Sequence, residues 1–207
     1  MKDVKVIRKT TESTMTVTLN FDGVSPEYRS KINTGIIFLN HMIEQLVWRS
    51  EVNIIADVEL DRFNLSHVIC EDLGMTLGKA VAKAVEDNGV DGIRGFGDGI
   101  GIIDEAFCQS AISFEGRAYL DFDAGMCTIP ESTEGMLSED LMTFIDGFVQ
   151  GARCTLHVNL SKGENGHHIW EAVFRSIGIA LKNTLEIVES RKNMTSGVAG
   201  RIEYIYE

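Results

Sequence analysis

Gly163 to Lys182 reads GENGHHIWEAVFRSIGIALK. Its spacing predicts a helix that starts near Gly166 and is entered from a polar loop. On that helix His167 and Glu171 are four residues apart and share a face, with His168 one step round. Two imidazoles and a carboxylate within one turn are donors suited to a transition metal. Taken alone, HHxxE reads equally well as a surface pair or a helix cap.

The stretch has a counterpart 100 residues earlier. Val58 and Leu60 match Val158 and Leu160. His67, Ile69, Glu71, Gly78 and Ala80 match His167, Ile169, Glu171, Gly178 and Ala180. Leu73, Leu77 and Val81 meet Val173, Ile177 and Leu181, so the apolar face repeats with the polar pattern. Self-similarity at a fixed offset marks a duplicated supersecondary unit. The copies part at one chemical position, where Val68 stands opposite His168.

Working outward, Val4 to Phe21 reads as strands, with Val17, Leu19 and Phe21 on one face. Ser30 to Asn33 is a short strand candidate, and a helix is expected over Ile36 to Arg49. Val52 to Leu60 is a strand, followed by a helix to about Glu86 with Ser66 as its N-cap. The glycine-rich run Gly89 to Gly101 predicts a loop. Two strands are expected between Glu105 and Asp123, and another loop over Gly125 to Gly135. A helix from Glu139 to Gln150, a strand from Ala152 to Leu160 and the helix Gly166 to Val188 repeat the earlier order. The tail ends in the apolar–polar run Ile202 to Tyr206. The expectation is an α+β fold of two duplicated halves, residues 1–94 and 95–207, with helices packed between two mixed β-sheets.

At 207 residues the chain can bury a sizeable core. A net charge of −12 argues against nucleic acid or an anionic membrane as the main partner. Cys70, Cys108, Cys127 and Cys154 lack CxxC spacing, which points to free thiols in a reducing cytoplasm. Met1 to Ile7 alternates charged and apolar residues, unlike a secretory leader, and no apolar run reaches the about 18 residues of a membrane span. The five histidines, His41, His67, His157, His167 and His168, together with Glu71 and Glu171, form the candidate metal-ligand set.

The sequence resembles the imidazoleglycerol-phosphate dehydratase family. The family's Arg-x-Thr-x-Glu-Thr opening stands as Arg8-Lys9-Thr10-Thr11-Glu12-Ser13. Its TGxxFxxHM segment is Thr34 to Met42, its first HHxxED is His67 to Asp72, and its MDEA is Ile103 to Ala106. Its SGRxYL is Glu115 to Leu120, its LHI is Leu156 to Val158, and its NxHHxxEAxFK is Asn165 to Arg175. The resemblance implies a ribosomal-protein-S5-domain-2-like fold and a dinuclear Mn2+ site shared between subunits. It implies a large homo-oligomer, a closed shell of about 24 subunits. The implied activity is elimination of water from a phosphorylated imidazole, in histidine biosynthesis, through an imidazolate-like intermediate. Glu12 is then the proton-transfer carboxylate, and Arg117 and Arg175 face the phosphate.

Several positions depart from that pattern. Val68 replaces a ligand histidine, which leaves one metal site a donor short. Leu65 and Ser66 replace two Asp, and Arg49 replaces a histidine. Gly95 stands where GIxRYG carries a phosphate-reading arginine. Met194-Thr195-Ser196-Gly197 stands for STKG, and Gly178-Ile179-Ala180-Leu181 for ARAL. Three readings remain: a dehydratase with impaired activity, a same-fold enzyme with another substrate, and a non-catalytic metal-binding oligomer.

Overall fold

The structure, a computed structural model, describes residues 1–62, 64–198, 200 and 205. Four helices are α1 (Ile37–Ser50), α2 (Ser66–Asp87), α3 (Ser138–Ala152) and α4 (Gly166–Thr184). The first sheet contains β1 (Val4–Lys9), β2 (Ser13–Asn20), β3 (Ile32–Asn33) and β4 (Asn53–Leu60), in the order β1-β2-β4-β3. The second contains β5 (Phe96–Ile103), β6 (Ala106–Ser113), β7 (Tyr119–Asp123) and β10 (Thr155–Lys162), in the order β5-β6-β10-β7. Each sheet is antiparallel except for its last pair, β3 with β4 and β7 with β10. Both mixed sheets therefore carry one topology. A two-residue hairpin joins β8 (Ser132–Thr133) to β9 (Met136–Leu137) just before α3.

The alternation read in β2 is the observed one: Ser13, Met15, Val17 and Leu19 point inward. Helix α2 covers the first sheet and α4 the second. The helices also cross-pair, α2 with α3 and α1 with α4, so the two halves share one core. Phe144 of α3 stacks on Phe174 of α4, ring centroids 5.9 Å apart. Helices α2 and α3 approach closely at Gly78, where an added Cβ would lie 2.2 Å from the Phe148 carbonyl oxygen.

Three local readings change. Gly97, Gly99 and Gly101 belong to strand β5, not to a loop. They alternate inward and let α4 lie directly on the strand, where a Cβ at Gly101 would come within 1.9 Å of the Ala172 carbonyl oxygen. Helix α2 begins at Ser66 with Leu65 as its N-cap, and no side chain caps it. Helix α4 stops at Thr184, because the chain then turns so that Ile187 can bridge to Ile93. The tail run Ile202 to Tyr206 lies outside the described residues apart from Ile205.

Cys70, Cys108 and Cys154 are buried and free. Burial pushes the Cys70 and Cys154 thiols up to about 12 and Cys108 to about 11. They remain thiols at neutral pH and are poor nucleophiles. No helix among the described residues is long and apolar enough to cross a membrane.

Candidate metal centre

The start of α4 is held from three sides. The Asn165 side chain accepts from the His167 backbone N–H at 2.9 Å, an N-cap that sets His167 and His168 in the first turn. Glu105, at the β5–β6 turn, accepts from the backbone N–H groups of Glu164 and Asn165. The fully buried Trp170 donates through Nε1 to Ser138 Oγ, and that hydroxyl donates to the Pro130 carbonyl.

One set of donors converges on this platform. His41 Nε2, from α1, lies 3.7 Å from Glu171 Oε2, and His167 Nε2 lies 3.4 Å from the same oxygen. Their ligand atoms all fall within 4.8 Å of one another. Glu171 is 5% exposed. Its Oε1 is held by Arg175 Nη2, whose guanidinium also donates to Gln45 Oε1 at 3.1 Å and to the Ile102 carbonyl at 2.6 Å. One carboxylate oxygen is thus occupied, and the other faces two imidazole nitrogens. An N2O donor set of this kind fits a divalent transition ion.

All five histidines have a carboxylate facing Nδ1, within hydrogen-bond reach for His41, His157, His167 and His168 and beyond it for His67. The Nδ1 atoms of His41, His67, His157, His167 and His168 face Glu44, Asp140, Asp121, Glu134 and Glu105. The distances are 3.3, 3.9, 3.0, 3.1 and 2.8 Å in that order. A carboxylate at Nδ1 fixes the ring and leaves Nε2 as the donor, the usual outer-shell support of a metal-ligating histidine. The Glu105 pair perturbs both members. Glu105 is held down to about 2, first by the Asn165 N–H and then by His168, and His168 is raised by its hydrogen bond to Glu105.

The other candidates are spread apart. His67 is exposed, with Nε2 4.0 Å from Glu71, and His168 turns Nε2 toward Asp104 at 3.7 Å. His157 lies on β10 beside Asp121 and Tyr119. Glu12 is an exposed residue of the β1–β2 turn. Val68 is half-buried in the first turn of α2. Arg117 is exposed and pairs with Glu115 at 3.2 Å. Around Gly95 the space is taken: φ is +78°, and an added Cβ would lie 2.5 Å from the Ser196 carbonyl oxygen and 2.6 Å from Ser196 Cβ. Ser196 in turn donates to the Phe114 carbonyl at 3.2 Å.

A family model described as imidazoleglycerol-phosphate dehydratase matches residues 34–181. The chain belongs to the imidazoleglycerol-phosphate dehydratase family. The imidazoleglycerol-phosphate dehydratase of Caldicellulosiruptor saccharolyticus is 38% identical, over 94% of this chain and 96% of its own length. That of Burkholderia mallei is 34% identical, over 98% of this chain and 100% of its own. A crystal structure of the Pyrococcus furiosus enzyme in complex with (S)-C348 superposes with a TM-score of 0.77 at 27% identity, covering 95% of this chain and all of that one. The Staphylococcus aureus enzyme gives 0.75 at 25% identity over 90% of this chain and all of its own. The resemblance and the α+β class read from the sequence both stand.

Sequence reading missed the supporting carboxylates Glu44, Asp121, Glu134 and Asp140. Only Glu44 carries a local signal, three residues after His41 on the same helix. It also missed what Arg8 and Asp72 do for one another. Arg8 Nη1 lies 2.6 Å from Asp72 Oδ2, an ion pair off-line for a hydrogen bond, and Ser13 Oγ donates to the same oxygen. The pair ties β1 and β2 to α2.

Proposed function

We propose that this chain is a metal-dependent hydro-lyase subunit that eliminates water from imidazoleglycerol phosphate in histidine biosynthesis, with impaired turnover. The observation that carries this is the convergence of His41, His167 and Glu171 Oε2 in a chain of this family. A divalent transition ion such as Mn2+, when bound, would supply Lewis-acid stabilisation of negative charge on the substrate ring. His41, His167 and Glu171 would hold it, with His67, Glu71, His157 and His168 serving a second or shared ion in the assembled oligomer. Arg175 holds Glu171 Oε1 and so leaves Oε2 facing the imidazoles. Glu12 is exposed and able to exchange a proton with substrate. Arg117, exposed and paired with Glu115, would meet the phosphate, while Arg175, given the same task by the resemblance, is engaged with Glu171, Gln45 and the Ile102 carbonyl.

Two observations support impairment. Val68 offers no donor where the second repeat has His168. Ser196 occupies the space a phosphate-reading side chain at position 95 would need. The latter also favours a second reading, a same-fold hydro-lyase acting on an unphosphorylated imidazole alcohol. We further propose that residues 1–94 and 95–207 are the two repeats and that copies assemble into a closed shell of about 24 subunits. Light scattering checks the assembly, and a monomer would refute it.

The deciding experiment loads the protein with Mn2+ and follows dehydration of imidazoleglycerol phosphate and of imidazoleglycerol side by side. Weak turnover of the phosphate ester alone supports the proposal. Preference for the unphosphorylated alcohol supports the second reading. No turnover of either, with metal bound, leaves a metal-binding oligomer. Complementation of a dehydratase-deficient histidine auxotroph tests the same point in cells.

A further inference from the structure

Glu134 occupies a place where backbone geometry argues against it. The β8–β9 hairpin turns through Glu134 and Gly135, both with positive φ, +52° and +78°. Two-residue turns of that kind favour Asn, Asp or Gly at both central positions, because a Cβ in the left-handed region is crowded. A glutamate here is strained, and strain of this sort gathers where a side chain has a task. The hairpin is also seated on the site. Thr133 Oγ1 and Pro130 crowd Gly166, the first residue of α4, and Ser138 ties the segment to Trp170. From that perch the Glu134 carboxylate reaches His167 Nδ1 at 3.1 Å.

We propose that Glu134 is a positioning residue: it keeps the ring hydrogen of His167 on Nδ1 and so presents the Nε2 lone pair to the point shared by His41 Nε2 and Glu171 Oε2. A neutral imidazole carries one donor and one acceptor nitrogen, so a carboxylate facing Nδ1 decides which nitrogen can bind an ion. The hairpin thereby links a segment outside both repeated motifs to the donor set. Glu44 does the same for His41 from within α1. The inference rests on the metal reading above.

The test uses the full chain, freed of metal with chelator and titrated with Mn2+ alone, alongside thermal melts of the metal-free protein. Glu134→Gly should weaken Mn2+ binding about 10- to 100-fold, the usual effect of losing an outer-shell partner. Its metal-free melting temperature should hold or rise, since glycine suits the left-handed backbone. Glu134→Gln, whose amide oxygen still accepts from Nδ1–H, should lose less affinity. Glu134→Gly binding Mn2+ as tightly as wild type overturns the inference while leaving the metal site standing. Weaker binding matched by a lower metal-free melting temperature overturns it too, as a plain structural effect. A wild type that takes up no Mn2+ removes the metal reading and this inference together.

Discussion

His41 and Glu171 meet across the α1–α4 packing, with Nε2 3.7 Å from Oε2. They stand on different helices, α1 and α4, so the donor set exists only when those helices pack on one another. Arg175 keeps this arrangement neutral by occupying the second carboxylate oxygen. Arg175→Met should therefore strand a buried carboxylate and cost about 3 kcal/mol or more of stability. Chemical denaturation of metal-free protein measures the loss. Mn2+ should restore part of it, because the ion would replace the lost positive charge. A metal-free variant as stable as wild type would show that Glu171 does not need its arginine.

Val68 invites the reverse experiment. Glu12 ends the β1–β2 turn as Glu105 ends the β5–β6 turn, and Glu105 holds His168 at 2.8 Å. By the repeat, a histidine at position 68 would find Glu12 in the corresponding place. Val68→His should raise bound metal per chain, measured by elemental analysis after Mn2+ loading. It should not bring turnover of imidazoleglycerol phosphate into the ordinary range of about 1–1000 per second, because position 95 remains closed. Full activity in wild type would show the missing imidazole to be dispensable.

Gly95→Arg tests that closure. The residue must enter a left-handed backbone and displace the Ser196 main chain, 2.5 Å from the new Cβ. Overpacking of this kind costs about 1–3 kcal/mol. The expected result is a lower melting temperature with no gain in affinity for a phosphate ester. Tighter binding by the variant would mean that the tail yields easily.

Glu105 and His168 predict a pH signature. Glu105 titrates near 2 instead of its usual 4.5, so its contribution is present above about 4.5 and is lost as pH falls toward 2. His168 is raised, so its contribution is present below its usual 6.5 and fades as pH rises past the raised value. Melting temperatures of wild type and Glu105→Gln should differ most between about pH 4.5 and 6.5 and converge near pH 2. A gap that does not shrink as pH falls from about 4.5 toward 2 would mean the ionised pair adds nothing to stability.

The glycines of β5 show how local reading failed. Gly97, Gly99 and Gly101 have poor strand propensity and look like loop on their own. Their period of two was the overlooked signal, and its cause is helix α4 lying directly against that face of the strand. The phosphate departures failed differently: Gly95 and Ser196 read as two separate losses, and the structure shows one packed contact.

By itself the sequence determined the helix of the second motif, its shared His167–Glu171 face, the 100-residue repeat, the family and the α+β class. These follow from periodicity and from fixed residue spacing, which are local properties of the chain. Tertiary structure alone decided that His41 joins His167 and Glu171, while His67, His157 and His168 stand elsewhere in a single chain. It alone assigned each imidazole its carboxylate and turned Arg175 inward onto Glu171. Those relations are set by how helices and sheets pack, and residues that meet through packing leave no regular spacing in the sequence.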